Sequence, residues 1–144
     1  MTRSVSRSIV IEAPADKVFA LLANPQRHPD FDGSDSVKAN IKGPTQLAKG
    51  AKFGMRMRIK LPYVITNEVV EYEQDRLIAW QHFGKHIWRY ELAPATGGGT
   101  EVTESFDWEH ARSPKFLEKR DYPAKNAVSM EKTLVRLKEL AERS

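Results

Sequence analysis

Two ionisable side chains stand out because of where strand periodicity puts them. Val102, Glu104, Phe106 and Trp108 share one face of a strand read over residues 100–108, and Ile78, Trp80 and His82 share one face of a strand read over 77–82. Alternate residues of a strand point to opposite sides, and the aromatic and aliphatic neighbours mark these sides as the inward ones. A carboxyl or imidazole there must be paired, hydrated or functional, because burying an ionisable group alone is costly. If Glu104 and His82 meet, they form either a satisfied structural pair or a pair that orients a ligand hydroxyl or carbonyl. An acid/base pair is the third reading, since histidine titrates near neutrality. A parity error would instead leave Glu104 in water.

Other constellations of catalysis are not spelled out. The chain has no cysteine, hence no disulfide framework and no thiolate metal site or nucleophile. It also has neither a G-x-S-x-G elbow nor an H-E-x-x-H helix. His82 and His86 lie four apart, but Gly84 between them reads as a hairpin, and His28 and His110 are read as loop residues. No metal and no cofactor is expected.

Around the two ionisable groups the same parity gathers aromatics. Trp88, Tyr90 and Leu92 share a face of the strand over 87–92, next to Trp80, Phe106 and Trp108 on theirs. Such residues give a ligand flat apolar walls with a polar handle on each tyrosine and tryptophan, although they also fill ordinary cores. Met55, Met57 and Met130 add flexible, polarizable surface. The candidate ligand-binding set is therefore Met55, Met57, Trp80, His82, Trp88, Tyr90, Glu104, Phe106 and Trp108, with Met130 and Leu134 from the last helix. Phe31 and Tyr63 are candidates for the pocket mouth.

These side chains need a frame. Residues 5–12 read as a first strand, 35–41 as a short one and 64–73 with 77–82 as a pair. Residues 87–92 and 100–108 form a long hairpin turning at Thr96-Gly97-Gly98-Gly99. Between them Phe53, Met55, Met57, Ile59 and Leu61 alternate with Lys52, Gly54, Arg56, Arg58 and Lys60, a strand with one wet face. Seven consecutive strands with short connections imply an antiparallel meander. After the first strand, Ala13-Pro14-Ala15-Asp16 places proline near the first helical position and an acid in the first turn. Val18, Phe19 and Leu22 give that helix its apolar face, and Asn24-Pro25 stops it. A second short turn over 26–31 would form a lid-like corner. From Tyr122 onward Ala127, Met130, Leu134, Leu137 and Ala141 recur at spacings of three and four. At 1.5 Å per residue this helix is a rod of about 33 Å, long enough to cross a sheet. A straight rod touches a bent sheet only along its middle, so a cavity is the expected remainder.

The whole is a single α+β domain over 1–144, without repeat, low-complexity tract or linker. Net charge is +4, with 23 Lys plus Arg against 19 Asp plus Glu, largely interspersed. The one local excess is Lys49, Lys52, Arg56, Arg58 and Lys60, read as a solvated strand face and not as a nucleic-acid site. No apolar run approaches the length of a membrane span, and residues 1–14 lack a signal-peptide core. A cytoplasmic location is expected by default, with peripheral membrane contact and a monomer or homodimer as open matters.

Three stretches carry a family resemblance. They are the segment from Ser8 to Pro25, the strand Trp88-Arg89-Tyr90-Glu91-Leu92-Ala93-Pro94, and the turn Gly98-Gly99-Thr100-Glu101-Val102-Thr103. Together they resemble the polyketide cyclase/dehydrase and lipid-transport group of the START-like (SRPBCC, birch-pollen-allergen-like) superfamily, across essentially the whole chain. The resemblance implies the helix-grip fold: a seven-stranded curved antiparallel sheet around a long C-terminal helix, with two short helices after strand 1. It also implies a deep hydrophobic cavity and members that bind or transfer lipids, sterols, polyketides or quinones, a minority of them enzymes.

Three functions follow. The first is binding or carriage of a small hydrophobic ligand. The second is a polyketide cyclase or dehydratase using His82 and Glu104 as acid and base. The third is an interaction module without ligand, presenting its basic strand face to an acidic partner or anionic membrane.

Overall fold

A computed structural model of the chain describes residues 3–33, 37–42, 47–58, 62–81 and 84–143, with the backbone alone for 37–42, 55–58 and 62–65. Among the described residues there are seven strands, β1 (Ser4–Ile11), β2 (Val37–Lys42), β3 (Lys52–Arg58), β4 (Pro62–Glu73), β5 (Leu77–Gln81), β6 (Ile87–Pro94) and β7 (Thr100–Asp107). They make one antiparallel sheet in the order β1-β7-β6-β5-β4-β3-β2. Only β2 to β7 form a meander. The expected run of seven fails at β1, because the helices that follow it carry the chain to the far edge and leave β1 beside β7.

Those helices are α1 (Ala15–Leu22), a 3-10 turn (Pro25–Arg27) and α2 (His28–Phe31). Pro14 stands just outside α1 as its N-cap, one place earlier than the sequence suggests, while Asp16 occupies the first turn. Asn24 ends α1 by starting something else: its side-chain oxygen accepts the Gln26 N–H at 3.0 Å, capping the next turn. Two further helices follow the sheet, α3 (Pro114–Lys119) and α4 (Tyr122–Arg143). The short α3 is not anticipated by hydrophobic spacing. Its start carries a legible signal, Ser113 at the N-cap and Pro114 at the first position.

Parity divides the sheet into a dry and a wet side. Ile78, Trp80, Tyr90, Leu92, Val102, Glu104 and Phe106 are buried, and Trp88 is half-buried. On the opposite side Arg89 grips Glu71 through two bonds of 2.7 and 2.8 Å and reaches Asp107 at 3.5 Å. Hydroxyl pairs Ser6–Ser105 and Ser8–Thr103, each at 2.8 Å, tie β1 to β7 there.

The buried side splits into two apolar clusters. A larger one joins Phe19, Leu22, Phe31, Phe53, Ile78, Trp80, Tyr90, Leu92 and Val102 to Leu134, Leu137 and Ala141 of α4. A smaller one joins Phe106, Trp108 and Ala111 to Ala127 and Met130. The long helix thus passes both, with its first half on the small cluster and its second on the large. Gly33 fixes where the loop after α2 meets it. A Cβ at Gly33 would stand 2.3 Å from the Ser129 carbonyl oxygen, and the Gly33 amide donates to Thr133 Oγ1 at 2.8 Å. Only glycine permits so close a backbone approach. Among the described residues no helix is long and apolar enough to cross a membrane.

Candidate functional site

Glu104 comes from the middle of β7, where the register sets it between Tyr90 of β6 and Arg7 of β1. It is 3 % exposed. The Tyr90 hydroxyl donates to its Oε2 at 2.8 Å. Arg7 does not neutralise it: that guanidinium donates to the Ser6 carbonyl at 2.8 Å, lies 3.9 Å from Glu131 and is 42 % exposed. Burial therefore pushes the Glu104 carboxyl up from 4.5 to about 8. The Tyr90 hydrogen bond opposes the rise and the Asp32 charge adds to it. The Tyr90 phenol is likewise pushed well above its ordinary value, by burial first and by the Glu104 charge second. Oε1 of Glu104 is buried and finds no partner among the described residues.

The partner expected for Glu104 was His82, which lies outside the described residues. A histidine that is described and does enter the interior is His28, read from the sequence as a loop residue. It opens α2 instead and is 3 % exposed. Its ring stacks on Trp80 with centroids 4.9 Å apart and planes 22° from parallel, and meets Phe31 and Phe53 edge-on at 5.5 Å each. Nε2 lies 2.8 Å from the Leu22 carbonyl. Burial lowers the imidazole from 6.5 to about 4, against the raising effects of the Leu22 carbonyl and Asp32. Nδ1 is buried and has no partner among the described residues.

These groups belong to one neighbourhood. Trp80 connects them, since its ring stacks on that of His28 and lies 5.6 Å from that of Tyr90. The Asp32 charge acts on His28, Tyr90 and Glu104 alike. Arg136 of α4 donates to the Asp32 carbonyl and so holds the α2 corner against the helix.

The remaining candidates fall in two places. Trp80, Tyr90 and Leu134 belong to the large cluster, while Phe106, Trp108 and Met130 belong to the small one. Trp88 packs against both. Met55 and Met57 lie on β3, where only the backbone is described; the side chain of Tyr63 is also outside the description. Phe31 is buried at 2 % exposure and so sits in the core, not at a mouth, because α2 turns it onto His28. His110 is exposed in a turn. A surface cleft of about 810 Å³ opens elsewhere, between the start of α1, the turn at 74–76 and the end of β6, and none of the candidate residues lines it. Among the described residues no three His, Asp or Glu side chains could together hold a metal ion.

The model of a family described as polyketide cyclase/dehydrase and lipid transport matches residues 2–142. An uncharacterized protein of Mycobacterium tuberculosis, Rv0088, is 40% identical over 138 residues, which are 92% of this chain and 62% of that protein. The chain thus spans under two-thirds of the length of that relative. Among solved structures, protein NE0264 from Nitrosomonas europaea superposes with a TM-score of 0.73 at 14% identity, covering 97% of this chain and 94% of that one. The polyketide_cyc-like protein Cgl2372 from Corynebacterium glutamicum superposes with a TM-score of 0.61 at 22% identity, covering 99% and 93%. At such identities these two report on fold alone, and the fold they share is the helix-grip arrangement of sheet and long helix.

Proposed function

Because the chain belongs to the polyketide cyclase/dehydrase and lipid-transport family, we propose that it binds or carries a small hydrophobic molecule against the inner face of its sheet. The observation that carries this reading is the pair of buried polar atoms, Glu104 Oε1 and His28 Nδ1, left without partners among aromatic rings. Natural interiors satisfy nearly all their buried polar groups, and each orphan costs about 1–3 kcal/mol. A fold that keeps two of them in one aromatic neighbourhood is arranged for something that completes them. Trp80, Tyr90 and Leu134 supply the apolar walls nearest to that pair, and Met55, Met57, Trp88 and His82 are further candidates for the lining.

The test is direct. Protein purified under native conditions is extracted and its co-purifying small molecules identified by mass spectrometry, and the emptied protein is melted against lipids, sterols, quinones and aromatic polyketides. A ligand of the folded state raises Tm with concentration by mass action. A sample that carries nothing and whose Tm stays flat across the panel rejects the reading.

A second reading is supported by the protonated state of Glu104. A carboxylic acid that still holds its proton near neutrality is suited to protonate or polarise a bound carbonyl, as a cyclase or dehydratase would require. Turnover that survives Glu104→Gln with undiminished kcat removes it.

A further inference from the structure

We propose that the molecule held beside Trp80 is uncharged and carries two complementary polar groups on its apolar frame, a donor that meets Nδ1 of His28 and an acceptor that meets Oε1 of Glu104. This rests on the binding reading and sharpens it from "hydrophobic" to a specific polarity.

The assignment follows from which atoms can hold protons. The Leu22 carbonyl can only accept, so Nε2 of His28, 2.8 Å away, must be the ring nitrogen that bears hydrogen. The imidazole is buried among Trp80, Phe31 and Phe53 and stays neutral. A neutral ring has one N–H, so Nδ1 is a bare lone pair and asks for a donor. At Glu104 the polarity is reversed. Oε2 receives the Tyr90 hydroxyl, and the buried carboxyl keeps its own proton. That proton belongs on Oε1, the oxygen without a partner, which is then a donor and asks for an acceptor.

Charge narrows the class further. Asp32 acts on both groups and disfavours another anion. Among the described residues, Arg7 is turned to the Ser6 carbonyl and Glu131, and Arg136 donates to the Asp32 carbonyl. A frame with a hydroxyl and a ketone, ester or amide oxygen satisfies both orphans; a carboxylate satisfies neither charge nor polarity at Nδ1.

Two matched probe series test this on the full chain, one on naphthalene and one on the saturated androstane frame. Each contains the bare hydrocarbon, the hydroxyl, the ketone, the hydroxy-ketone and a hydroxy-carboxylate. Binding is read by quenching of tryptophan fluorescence and by calorimetry. In at least one series the hydroxyl and the ketone each tighten binding about tenfold over the hydrocarbon, the size of one completed hydrogen bond, and the carboxylate loses that gain. His28→Phe abolishes the hydroxyl increment and leaves the ketone's; Glu104→Leu does the reverse. Glu104→Gln, whose amide can both accept from Tyr90 and donate, keeps both and serves if the leucine variant does not fold. If the bare frames bind and the polar groups add nothing, or the increments do not follow these residues, the polarity assignment falls and the binding reading stands. If no frame binds and no molecule co-purifies, the binding reading falls and takes this one with it.

Discussion

The small cluster around Phe106 and Trp108 and the large one around Trp80 and His28 are both built from aromatic and aliphatic side chains gathered between the sheet and α4. They differ in how their polar atoms end. In the small cluster the Trp108 indole donates to Glu118 Oε2 at 2.8 Å, and the same oxygen takes Arg3 Nε at 3.0 Å. Phe106 and Trp108 stack at 5.5 Å, with Trp88 4.9 Å from Phe106 on the other side. In the large cluster the aromatic packing is equally close, yet His28 Nδ1, and Oε1 of the Glu104 that Tyr90 bonds, have no partner among the described residues. A region that only has to hold the fold together completes its hydrogen bonds. On the proposed reading, the region that leaves them incomplete is the one that receives the ligand.

The largest effect should come from the side that serves the fold. Phe106 is 1 % exposed and touches rings on three sides. Phe106→Ala should cost about 3–5 kcal/mol in urea unfolding, while the folded fraction binds ligand as before. A variant that instead unfolds easily and also loses affinity in proportion would erase the distinction between the clusters.

Titration offers a cut of intermediate size. Glu104 ionises at about 8 in the folded chain and near 4.5 unfolded, so the unfolded state releases the proton first and stability falls as pH rises between those values. His28 works the other way, at about 4 folded and 6.5 unfolded, so its contribution is lost as pH falls below 6.5. Between about 4.5 and 6.5 the two slopes cancel. Of these two groups Glu104 alone acts from pH 6.5 to 8, and its contribution should drop by roughly 2 kcal/mol at 1.36 kcal/mol per pH unit. Chemical denaturation across that window measures the slope, and Glu104→Gln should flatten it. A slope unchanged in the glutamine variant would mean that the carboxylate is hydrated and the interior wetter than its burial implies.

How much of this could be read beforehand differs by element. The long helix and most strands are written in periods of 3.6 and 2, and Glu104 is found by counting parity along 100–108, because regular repeats need only local information. His28 is different. Its segment, Arg27 to Phe31, is a single turn with too few residues to show a period, and its burial is decided by Phe53 and Trp80, far along the chain on β3 and β5. The pairing of β1 with β7 is non-local in the same way. The Tyr90 partner of Glu104 is local across the sheet, directly opposite on the adjacent strand, whereas the expected meeting of Glu104 with His82 falls outside the described residues.

The smallest effect has the most informative sign. Replacing both members of a hydrogen-bonded buried pair by apolar groups of similar shape is often neutral or stabilising, whereas removing one leaves the other stranded. For a pair whose polar atoms are all met, the double change Tyr90→Phe, Glu104→Leu should come out near neutral. Here Glu104 carries an additional oxygen that has no partner among the described residues. The double variant should therefore equal or exceed the native chain in ligand-free stability, by up to about 1 kcal/mol at pH 7, and should lose the acceptor-dependent part of its affinity. Tyr90→Phe alone should keep most of that affinity, because the phenol is bonded to Oε2 and the proposed ligand contact is at Oε1. Urea melts of the four members of this cycle, with and without ligand, separate the stability of the fold from the completion of its site. A double variant clearly less stable than the native chain would show that the carboxyl is already satisfied, and that the two clusters do the same work.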